Sequence, residues 1–92
     1  MVPAPVLAQA WRGGARQVNL ARFLSLCEVE AMNEAQARRV GVLAALTGGT
    51  DIVDLVVVEG ASRRGDAVVT ADANDIREIV ATAGLELRIE TV

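Results

Sequence analysis

At 92 residues, 52% of them hydrophobic and 23% charged, the chain is sized for one small domain with a modest core, since domains of this length bury only about 60–65% of their unfolded surface. Nine basic against twelve acidic side chains leave a net charge of −3, which argues against an RNA-binding module working through a general positive field. It does not argue against an acidic site whose metal ions reverse the local field, and the absence of His and Tyr excludes imidazole acid–base chemistry, Ser–His–Asp triads and His-containing zinc sites within the chain.

The opening Met1-Val-Pro-Ala-Pro5 reads as extended, because residues before proline avoid the helical region. Val6 to Arg12 follows as a short helix ended by Gly13-Gly14, and a second helix over Val18 to Leu26 would place Leu20, Phe23 and Leu24 on one face. Cys27 to Met32 alternates apolar and charged residues as a half-exposed strand does. Cys27 is the only cysteine and sits in an apolar stretch, so it is expected to be a buried, inert thiol. With no internal disulfide and no signal-peptide pattern, the expectation is a cytoplasmic protein.

Asn33 is a good N-cap, and Gln36 completes a capping-box-like start to a helix that runs to about Leu46. Thr47-Gly-Gly-Thr50 breaks it. Asp51 to Arg64 forms the next helix, ended by Gly65; its apolar run Leu55–Val58 is far short of the roughly 18 residues that a membrane span needs, so no membrane association is expected. Ala67-Val-Val-Thr70 resembles a buried parallel strand. Asp72 to Ala83 makes the last helix, and Leu85 to Val92 alternates like an edge strand. Strands alternating with helices indicate one α/β domain with a parallel, helix-covered sheet. The arginine pairs Arg12/Arg16, Arg38/Arg39 and Arg63/Arg64 could face phosphates, but solvated helix ends are the commoner origin of such pairs.

Chemistry concentrates on aspartates. Asp54 interrupts the aliphatic run Ile52 to Val58, where a carboxylate needs a partner, a metal or the rim of a cleft, and Asp51 lies one turn earlier on about the same face. Asp72 follows the strand ending at Thr70, at the carboxyl edge where open α/β sheets place ligands. The plain alternative is helix capping: Asp51 and Asp72 fit N-cap positions, with Asp54 and Asp75 at the third helical position favoured by the helix dipole. Asp54, set among apolar neighbours, is the best candidate for a role beyond capping. Together these carboxylates suit a hard cation such as magnesium or manganese, which polarises a phosphodiester and activates a water without His or Cys.

Three stretches resemble the motifs of the PIN-domain ribonucleases, the fold of the VapC toxins of bacterial toxin–antitoxin pairs. They are Val2-Pro-Ala-Pro-Val-Leu-Ala-Gln-Ala-Trp-Arg-Gly-Gly14, Asp51-Ile-Val-Asp-Leu-Val-Val-Val58 and Asp66-Ala-Val-Val-Thr-Ala-Asp-Ala-Asn-Asp-Ile76, similar to the second, third and fourth motifs of that family. The resemblance implies a three-layer α/β/α PIN-like domain with a mostly parallel central sheet over residues 1–92, lacking the family's first, central strand and its aspartate. It implies Asp54 and Asp72 as catalytic metal ligands, Asp75 and Asp51 as helpers, and Thr70 and Gln9 in supporting places.

Gln9 stands where most members carry Glu, and an amide supplies an oxygen without charge or general-base capacity. The implied activity is magnesium- or manganese-dependent endoribonuclease, with RNA as substrate, a cognate antitoxin as partner and a homodimer as assembly. The missing strand implies a weak or inactive nuclease. Two other readings stay open: a noncatalytic remnant that binds an antitoxin or a second copy of itself, and an unrelated small α/β domain whose aspartates only cap helices.

Overall fold

Prolines at positions 3 and 5 decide how the chain starts. In the computed structural model, which describes residues 1–11, 22, 27–49, 51–70 and 73–91, Pro3 is extended (φ −63°, ψ 139°) and serves as the N-cap of helix α1, Ala4–Ala10. Pro5 falls in the first helical turn, where a missing N–H costs no bond. The helix therefore begins two residues before the expected Val6, and only Val2–Pro3 is strand (β1). Trp11 closes α1 by donating its N–H to the Leu7 carbonyl at 2.8 Å. The expected strand from Cys27 contracts to β2, Val29–Glu30, which pairs with β1 in parallel, Val2 opposite Val29. Cys27 is half-buried rather than buried. Apart from Arg22, the helix expected over 18–26 lies outside the described residues, as do Gly13 and Gly14.

The residues fall into two units, Met1–Met32 and Asn33–Val92. In the second, Asn33 Oδ1 accepts from the Gln36 N–H at 2.8 Å and starts α2, Glu34–Thr47. Gly48 ends it in the left-handed region at φ 69°, a conformation that costs glycine nothing. α3, Ile52–Arg64, begins at Asp51 and ends at Gly65, both as expected. β3, Val68–Thr70, is followed by α4, Asn74–Ala83, and by β4, Ile89–Thr91.

β3 and β4 pair in parallel with Val68 opposite Ile89 and Thr70 opposite Thr91. The chain is thus mixed α/β with short parallel strands, which lie in two separate two-stranded pairs among the described residues. The β3 strand is not buried on both faces: Val68 enters the core, while Val69 on the opposite face is 61% exposed. Over Leu85 to Glu90 the half-buried Leu85, Leu87 and Ile89 alternate with the exposed Glu86, Arg88 and Glu90, although only the last part of that stretch is strand.

The core of this unit sits on α3. Leu55, Val56 and Val58 are fully buried and pack with Val40 and Leu43 of α2, Val68 of β3, and Ile76 and Ile79 of α4. Burying one such side chain contributes about 1.5–3 kcal/mol relative to leaving it in water. No single helix among the described residues is long and apolar enough to cross a membrane.

Candidate functional site

The turn between α2 and α3 builds one wall of a cleft. Thr47, the last residue of α2, donates its hydroxyl to the Leu43 carbonyl at 2.8 Å and accepts the Gly49 N–H at 3.2 Å. A Cβ on Gly49 would stand 3.1 Å from that hydroxyl and 3.2 Å from Leu55 Cδ2, so a side chain there would require the Thr47 or Leu55 side chain to give way slightly. Asp51 follows, and its Oδ1 accepts the N–H groups of Val53 at 3.0 Å and Asp54 at 3.2 Å. The capping role expected of Asp51 is therefore real, and it occupies one of the two carboxylate oxygens.

Asp54 sits in the first turn of α3 and is half-buried, whereas Asp75 in the first turn of α4 is exposed. Glu78 lies one turn further along α4. Asp51, Asp54, Asp75 and Glu78 line the same cleft of about 260 Å³ with Thr47, Gly48, Gly49 and Ile79. No basic side chain is among these lining residues, so the carboxylates concentrate negative charge. The positive N-terminal ends of α3 and α4 offset part of it.

Three of the expected site residues, Asp51, Asp54 and Asp75, are thus brought together. Asp72 lies outside the described residues. The helix expected to start there begins instead at Asn74, with Ala73 at the cap position in the right-handed region and no side-chain cap bond. Thr70 ends β3, half-buried, and is not among the described residues that line the cleft. Gln9 is an exposed residue of α1 in the other unit. Glu78 escaped the sequence reading. Its signal was the spacing of three from Asp75, which puts both on one helix face, while Ile76 and Ile79 take the buried face.

Arg12 and Arg16 lie outside the described residues, while Arg38, Arg39, Arg63 and Arg64 each hold a carboxylate. Arg39 and Arg63 both bond the buried Glu59 through Nε, at 2.6 and 3.0 Å to Oε1, and Gln36 Nε2 donates to Oε2 at 2.9 Å. Burial pushes the Glu59 carboxyl up, but the hydrogen bonds from Arg39, Gln36 and Arg63 together outweigh it and hold the group below its ordinary value. Arg64 bonds Asp66 at 2.7 Å. Arg38 pairs with Glu34 on the open surface, as a solvated helix face would.

Oxygen donors of this kind fit magnesium or manganese in chemical type. Among the described residues, however, no three acidic or thiol side chains converge closely enough to hold a metal ion. No family profile, characterised protein or solved structure matches the chain.

Proposed function

We propose that the chain is a PIN-like domain of three-layer α/β/α design and that its family activity is metal-dependent endoribonuclease, in the manner of VapC toxins. The observation that carries this reading is the shared cleft: Asp51 and Asp54 from one resembling motif and Asp75 from another line a single acidic recess. Asp72, in the same motif as Asp75, is the remaining ligand on this reading. Asp54 and Asp72 would hold the ion, with Asp75 and the uncommitted oxygen of Asp51 in support. A bound magnesium or manganese would polarise the RNA phosphodiester and lower the pKa of a water. The protein's own part is to gather carboxylates at the ends of two helices, where the turn after α2 fixes one side of the recess.

The test is calorimetric titration of the chain with manganese, repeated for Asp54→Asn and Asp72→Asn, and cleavage of a labelled RNA in the same buffers. Binding that both substitutions abolish, together with metal-dependent cleavage, supports the reading. Equal binding by all three proteins sinks it.

A second reading is favoured by a different surface. Val42 and Leu46 on α2 are 70% and 61% exposed and border a groove with Leu43, Ala83 and Leu85. Adjacent aliphatic side chains left in water commonly mark a contact surface. On this reading the chain is a noncatalytic PIN remnant that binds a cognate antitoxin or a second copy of itself. Sedimentation velocity on the chain and on the double variant Val42→Ser/Leu46→Ser tests self-association: a dimer lost in the variant supports it, and a monomer at high concentration removes the second copy.

A further inference from the structure

We draw no further inference here: the strongest candidate, the groove bordered by Val42, Leu46 and Leu85 with Arg39 and Arg63 at its rim, already serves the second reading above, and nothing in the structure shows what covers it.

Discussion

Gln36 and Glu59, 23 residues apart, meet inside the second unit, where the amide Nε2 donates to Oε2 at 2.9 Å. Both are nearly closed to solvent, at 2% and 7% exposed. The contact joins α2 to α3 with a polar bond beside the groove that Glu59 lines. A buried carboxylate is tolerated only when its lone pairs are taken, and here Gln36, Arg39 and Arg63 take them.

Removing the carboxylate should therefore cost more than removing any one donor. Glu59→Ala is expected to lose about 1–3 kcal/mol, because it leaves the buried Gln36 amide without its acceptor while the two arginines, 45% and 36% exposed, can return to water. Arg39→Ala should lose less, because its side chain is 45% exposed and the pair is partly screened. Urea unfolding of the two variants, with unchanged slopes, measures the difference; equal losses would contradict the geometry.

The same carboxylate gives the unit an acid limit. Its pKa in the folded chain lies below the ordinary 4.5, so the stabilisation is full above the unfolded-state value. It is lost as pH falls through 4.5 and then through the lower folded value. Glu59→Gln should be less stable at neutral pH and should flatten the stability curve below pH 4.5. Thermal melts from neutral to acid pH would show it, and parallel acid limbs for the two proteins would argue against Glu59 as the group responsible.

Gly60 and Arg64 make a coupled pair. A Cβ at position 60 would stand 2.8 Å from Arg64 Nη1, so the guanidinium, which holds Asp66, would have to move. Alanine in a helix interior is favoured over glycine by about 1 kcal/mol. Gly60→Ala alone should keep only part of that gain, as the displaced guanidinium weakens its surface pair with Asp66. In an Arg64→Ala background the full gain should appear, and a double-mutant cycle reads the coupling directly.

Asp51 and Asp54 should separate by experiment although they share a helix start. Asp51→Ala removes the cap and should cost about 1 kcal/mol without metal. Asp54→Asn relieves like-charge repulsion in the cleft but gives up the charge favoured at a helix start, so it should change the metal-free chain less than Asp51→Ala does. If an ion binds, magnesium at a hundredfold its dissociation constant should add about 2.7 kcal/mol to the parent and less to Asp54→Asn. Melting temperatures with and without magnesium give all these comparisons.

Where the sequence could be read, local chemistry was strong. Asn33, Asp51, Gly48 and Gly65 mark the ends of α2 and α3 through side-chain oxygens and left-handed glycines, and those signals need no knowledge of the rest of the chain. Asp51, Asp54 and Asp75 were picked out as acids near helix starts. Their meeting in one cleft depends on how α4 packs on α3, which no local pattern encodes. Glu59 was missed because a single carboxylate four residues before Arg63 reads as one half of an exposed helical ion pair. Only the approach of Gln36 and Arg39 from α2 makes it an interior group. The start of α1 was misjudged because proline both prolongs an extended segment and fits the first helical turn. β3 was misjudged because a run of valines reads the same whether one face is covered or two.

α3 is buried through its middle: of Leu55 to Ala61, every residue but Val57 is closed to solvent, and Val57 is half-buried. Elements α2, α4 and β3 all pack on it. A helix enclosed in this way cannot fray one face at a time, so its backbone amides should exchange with deuterium only when the surrounding unit opens as a whole. The exposed stretch of α2 around Gly41, Val42 and Ala45 and the short β4 can open locally and should exchange sooner. The slowest amides of α3 would then report the unit's global stability, and a ligand anchored at the N-terminal end of α3 would be registered along its whole buried length.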